Sequence, residues 1–141
     1  MTNGTYVNTR PLTVIEDPRN TAAGLTTADL QAQFEHNMRV RDLVSEVNQL
    51  VARARAAQQS LKGKPDSASQ LDAIDSVAAH LITPTVRYSK PELQTHLTYL
   101  YQMTNSADEK PGKDATERYL ELRKELDQRK AEINRLLGQP K

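Results

Sequence analysis

Three histidines, His36, His80 and His96, are the side chains best suited to metal or acid–base chemistry in this chain. A helical metal pair needs two of them four residues apart, so that both imidazoles leave one face. No two have that spacing, and each falls on a different predicted helix. Scattered in this way, they read as surface or boundary residues. Di-metal bundles need Glu-x-x-His on facing helices, a pattern the sequence lacks. Carboxylates are abundant but stand among Lys and Arg on predicted solvent faces. Glu125 with Arg129, Glu121 with Lys124 and Glu132 with Arg135 read as ordinary helix-surface pairs, each a weak contribution. The serines have no nucleophile-elbow context. Gly63, Gly112 and Gly138 are isolated, so no phosphate-cradling loop is visible. There is no cysteine, hence no thiol nucleophile, disulfide or cysteine metal site. The expectation is a chain without catalytic, cofactor-binding or metal-binding residues.

Residue types that favour contact with another protein are easier to find. Interfaces are enriched in Tyr, Met and Arg. Thr83-Pro84-Thr85-Val86-Arg87-Tyr88-Ser89 places Arg87 and Tyr88 on a predicted loop, where binding residues concentrate. The plainer reading is a helix connector with Tyr88 packed over a bundle end. Tyr99 and Tyr101 lie roughly 200° apart on a helix, so both cannot face one core. One covers a helix edge or faces a partner.

Helices must position these residues. Four stretches carry a helix-start signal, a short oxygen-bearing cap with an acidic or amide residue three positions later. They are Thr26 to Asp29, Ser67 to Gln70, Ser89 to Glu92 and Asp114 to Glu117. The first predicted helix runs from about Thr27 to Leu61. Leu43, Val47, Leu50, Ala54, Ala57 and Leu61 repeat at alternating steps of four and three, a narrow seam for a partner helix. Leu30, Phe34, Met38 and Val40 extend an apolar face toward its N-terminus. Lys62-Gly63-Lys64-Pro65 ends it. The second helix, about Ser67 to Leu81, has the stripe Leu71, Ile74, Ala78 and Leu81. The third, about Lys90 to Thr104, buries Leu93, Leu97 and Leu100. Pro111-Gly112 breaks the chain before the fourth, about Ala115 to Leu137, with Tyr119, Leu122, Leu126, Ile133 and Leu137 inside. The fold class is therefore all-α, an antiparallel three- to four-helix up-down bundle over residues 26–138. The two short helices can act as one interrupted middle helix.

Residues 1–25 differ. Thr5 to Glu16 is rich in β-branched residues and reads as an extended, β-like arm, with Pro11 favouring an edge strand. A lone strand is not stable by itself. It pairs with another molecule, or it is the last strand of a β domain that is not present. Asp17-Pro18-Arg19 ends it.

Composition narrows the classes further. The 141 residues fit one domain, and the formal net charge of +1 comes from interspersed charges. That argues against a dedicated nucleic-acid surface. No apolar run approaches the ~20 residues of a membrane span. Met1 to Arg10 is too polar to serve as a signal peptide.

Leu97-Thr98-Tyr99-Leu100-Tyr101-Gln102-Met103, Ala107 to Ala115 and Glu117-Arg118-Tyr119 resemble the C-terminal helical region of bacterial sortilin-like β-propeller proteins. These are labelled glycosyl hydrolases with sialidase-type (BNR) repeats. Asp17-Pro18-Arg19, Gly24 to Gln33, Val40-Arg41-Asp42, Thr83-Pro84 and Arg87-Tyr88 are similar to the same region. The resemblance covers most of residues 12–137. It implies an extracytoplasmic setting, periplasmic or secreted, and makes the arm the end of a small β domain. It carries no catalytic residue across, because glycosidase chemistry would belong to the propeller.

The expected function is a non-catalytic structural subunit. It docks on a protein partner, for example a membrane-bound periplasmic complex, with no nucleic acid, no cofactor and no direct membrane span. The expected contacts are Tyr6, Val7, Leu12 and Val14 on the arm, with Arg87, Tyr88 and Tyr101 on the bundle. The alternative is an accessory C-terminal domain of a secreted sortilin-like propeller protein.

Overall fold

The computed structural model describes residues 2–138, with the side chains of Thr2, Asn3 and Tyr6 outside that description. The long amphipathic run of the sequence becomes helix α2, Thr27–Leu61. It is preceded by a hairpin, β1 (Thr2–Asn3) and β2 (Tyr6–Val7), and by a short helix α1, Pro18–Ala22. It is followed by α3 (Ala68–Ala79), α4 (Leu93–Thr104) and α5 (Lys113–Leu137). The all-α bundle read from the periodicity is thus the fold.

Cross-helix contacts fix the directions. His36 meets Tyr119, Glu46 meets Arg123 and Lys130, and Arg53 meets Asn134. Numbers rise together, so α2 and α5 are parallel. Gln33 reaches Thr104 and Asn48 reaches Gln94, so α4 is antiparallel to α2. The seam Val40, Leu43, Val47, Leu50 and Ala54 packs on Ile74, Leu81, Leu93, Leu97, Leu100, Leu122, Leu126 and Ile133. These buried aliphatics make one continuous core, the main source of stability.

The middle helix is broken and stacked. The first free N–H groups of α4, at Leu93 and Gln94, donate to the His80 and Leu81 carbonyls at the end of α3, at 3.3 and 3.0 Å. In an unbroken α-helix those carbonyls would accept from positions four residues on. The donors instead arrive nine residues later in both cases. The chain therefore makes a three-helix outline whose middle member carries a nine-residue excursion. This is the interrupted middle helix that the sequence allows.

Only one of the four predicted capping boxes forms. Thr26 Oγ1 accepts from Asp29 N at 3.2 Å, and Asp29 Oδ2 accepts from Thr26 N at 3.1 Å. Ser67 instead donates to the Leu61 and Lys64 carbonyls, tying off the end of α2. Ser89 donates to the Pro84 carbonyl, and α4 starts after Glu92 because α3 already satisfies its N–H groups. Asp114 lies inside α5, whose cap position is Gly112. The predicted surface pairs of α5 also rearrange. Arg129 takes Glu132, Arg118 takes Glu121, and Lys130 turns to Glu46 on α2.

The arm departs from the reading as well. Of residues 5–16 only Tyr6 and Val7 are in a strand, and their partner is within the chain, Asn3 and Thr2. Gly4 at φ 58° opens the two-residue turn between them, a conformation that suits a tight hairpin. Asp17-Pro18-Arg19, taken as a terminator, starts α1: Asp17 Oδ1 accepts from Arg19 N, and Pro18 supplies a helical φ.

Candidate functional site

No cluster of three or more His, Asp or Glu side chains suited to a metal ion occurs among the described residues. Three surfaces carry exposed side chains of the types that interfaces favour.

The first is the arm. Residues 8–16 lack regular structure, and among the described residues their backbone groups make no backbone hydrogen bond. Leu12, Val14 and Ile15 are 88, 87 and 80% exposed, and Val7 is exposed too. The Tyr6 side chain, also expected as a contact, lies outside the described residues. The root of the arm is fastened. Thr27 donates to Glu16, Arg19 forks onto Asp17, and Asn20 Nδ2 donates to Asp108 Oδ2 at 2.7 Å. The Arg19 guanidinium holds the Asp17 carboxyl below the usual carboxylate range. The exposed segment thus leads from a fixed point at the end of the bundle where α2 begins.

The second is the excursion between α3 and α4. Its base is laced: Glu92 N donates to Thr83 Oγ1 at 2.8 Å, and Thr83 and Thr95 share a hydroxyl hydrogen bond. His80 Nδ1 lies 3.7 Å from Glu92 Oε2. Its tip holds Val86, Arg87 and Tyr88, all exposed. Tyr88 is 90% exposed and sits at φ 62°, a left-handed conformation that costs a non-glycine residue about 1–2 kcal/mol. The Arg87 guanidinium covers its ring at 5.0 Å. Tyr88 therefore does not pack over a bundle end, contrary to the plainer reading of the loop. Arg87 and Tyr88 come together, but they stand at the start of α4, away from the arm's root at its far end, roughly 18 Å along the helix.

The third is the α4 edge. Tyr101 packs against the core, half-buried. Tyr99 is the outward ring, 61% exposed, with Met103 beside it at 51%. Tyr101, the tyrosine expected among the contacts, is thus turned toward the core, and its neighbour Tyr99 faces out. Phe34 is also exposed, although the apolar pattern placed it inside.

The buried face at that end of α2 is polar: Gln33, His36 and Asn37. Gln33 Nε2 donates to the Thr104 carbonyl at 2.7 Å and to the Ala107 carbonyl. Asn37 Nδ2 donates to the Thr104 carbonyl, and Thr104 Oγ1 donates to Asn37 Oδ1. These bonds satisfy the Thr104 carbonyl, the last of α4, which has no partner within its own helix, and the Ala107 carbonyl in the connection that follows. His36, expected near the surface, is almost fully buried, with its ring edge-on to Tyr119 at 5.9 Å. Its Nε2 is buried without a hydrogen-bond partner. Burial, assisted by the nearby Arg39 charge, lowers its pKa below 6.5. His80 and His96 lie on other faces, at the excursion and on α4.

Compared with known proteins, the chain matches no family model, and no curated protein or solved structure is significantly similar to it. No helix among the described residues is long and apolar enough to cross a membrane.

Proposed function

We propose that this chain is a non-catalytic interaction module that docks on a protein partner through its N-terminal arm, with the bundle as rigid support. One observation carries the reading: Leu12, Val14 and Ile15 stand exposed on backbone without regular structure, whose N–H and C=O groups make no backbone hydrogen bond among the described residues. Such a segment can add as a strand to the edge of another sheet. Main-chain bonds then give affinity, and alternate side chains give register. The resemblance to the tails of sortilin-like propeller proteins supports an extracytoplasmic partner, such as a membrane-bound complex. The same uncovered segment supports a second reading, an accessory domain that follows a β domain in a propeller protein of that kind.

The test compares the full chain with one lacking residues 2–16, both tagged and expressed in the native cells. The module reading expects one defined complex to co-purify with the full chain only, and to re-form from purified components. Identical co-purifying sets would remove the arm from the interaction. Recovery of the native peptides only within a much longer polypeptide would favour the second reading.

A further inference from the structure

A cleft of about 660 Å³ lies on the outer side of α4 and α5, at the end where the 105–112 connection joins them. It is separate from the arm and from the excursion. Its apolar surface comes from Tyr99, Leu100, Met103 and Ala115. Tyr99 and Met103 are half exposed or more, although neither is needed to close the core. Large apolar side chains gathered in a concave surface mark interaction sites more than scattered ones do.

The charge around this floor is uneven. Glu109, Asp114, Glu117 and Glu121 line the cleft against Lys110 and Arg118. Both cations are already engaged: Lys110 with Asp29 of α2 at 3.5 Å, and Arg118 with Glu121 at 3.0 Å. Glu117 is engaged too, with Lys113 at 3.4 Å. Glu109 and Asp114 have no ion-pair partner among the described residues. The rim therefore presents negative charge to whatever covers Tyr99 and Met103.

We infer that this cleft is a docking groove for a basic amphipathic helix. The apolar stripe of such a helix would lie over Tyr99, Leu100 and Met103, and its Lys or Arg side chains would meet Glu109 and Asp114. Thioether and aromatic groups suit this role because Met adapts to the shape of a helical ridge and Tyr offers a rigid apolar face. Opposed charge at the rim sets orientation and on-rate more than affinity.

The chain contains no tryptophan, so a single Trp in a probe peptide reports binding without background. The probe is a synthetic Leu/Lys amphipathic helix carrying one Trp on its apolar stripe. A peptide of the same composition in scrambled order is the control. The expected result is saturable binding of the amphipathic peptide only. Tyr99→Ala with Met103→Ala should weaken it about tenfold or more. Glu109→Gln with Asp114→Asn should weaken it less and flatten its salt dependence. All four positions are exposed, and circular dichroism checks that the variants stay folded. Equal binding of both peptides, binding of neither, or unchanged affinity in the Tyr99/Met103 variant would overturn the inference. So would a concentration-dependent doubling of mass that Tyr99→Ala abolishes, because the cleft would then be covered by a second copy of this chain.

Discussion

At the scale of single residues, His36 is the group most exposed to a change of pH. Its imidazole lies against Tyr119 from α5 and near Arg39 on its own helix, and its Nε2 has no acceptor. A proton there would be desolvated and close to another cation. The folded pKa is therefore depressed, while the unfolded chain binds the proton near 6.5. Stability contributed by neutral His36 is present above that value and is lost as pH falls below it toward the folded pKa. Denaturation between about pH 7.5 and about pH 5.5 should show this loss, and His36→Gln should flatten the slope. An unchanged slope would place the titration elsewhere. The sequence hid this residue for a physical reason. Periodicity marks which positions face inward, and hydrophobicity is only a proxy for them. Phe34 drew the apolar face toward the solvent side of α2, because three of the true inward positions, Gln33, His36 and Asn37, are polar. Gln33 and Asn37 satisfy the Thr104 and Ala107 carbonyls, and that need arises only once α4 has been placed beside them.

At the scale of elements, helix boundaries were legible where a helix ends in solvent and obscure where it ends against another. The bounds of α2 agree with the reading at both ends, since Thr26 and Gly63 act locally. Thr26→Ala should cost about 1 kcal/mol, because it removes the one box that forms. Ser89→Ala should leave the start of α4 unaffected, since Ser89 caps nothing there. Chemical denaturation of both variants measures the contrast. The stacked middle helix gives a sharper expectation. Deleting Pro84 to Glu92 removes the nine extra residues and joins Thr83 to Leu93 in continuous α-helical register. The shortened chain should keep its cooperative melt and gain helicity per residue by circular dichroism. Loss of helicity would mean that the excursion supports the fold. Sequence alone could suggest an interruption, from Thr83-Pro84 and the two short stripes. It could not reveal the register, which depends on the two hydrogen bonds across the break.

At the scale of the whole molecule, the stability of the bundle and the exposure of the arm are separable. Leu97 is fully buried in the common core, and Leu97→Ala should cost about 2–5 kcal/mol. Removing residues 2–16 takes away no buried side chain among those described and should leave the thermal midpoint unchanged. A large drop would show that the arm folds onto the bundle in solution. The seven-residue seam made the core readable from sequence because Leu43, Val47, Leu50 and Ala54 had to meet an equally apolar stripe. The arm carried no such constraint. Its β-branched residues indicated extended chain, and the local turn signal, Asn3-Gly4, stands between strands of two residues each, too short to show an alternating pattern.

The stacked break has one more consequence. Residues 2–86 contain α1, α2 and α3, and residues 87–138 contain α4 and α5. The core lies between these two pieces, and the backbone bonds from Leu93 and Gln94 cross from one to the other. Chain continuity through Val86 and Arg87 therefore holds nothing in place that packing does not already hold. A single cleavage there would turn folding into the association of two halves. The linker's remaining role would be to set their effective concentration.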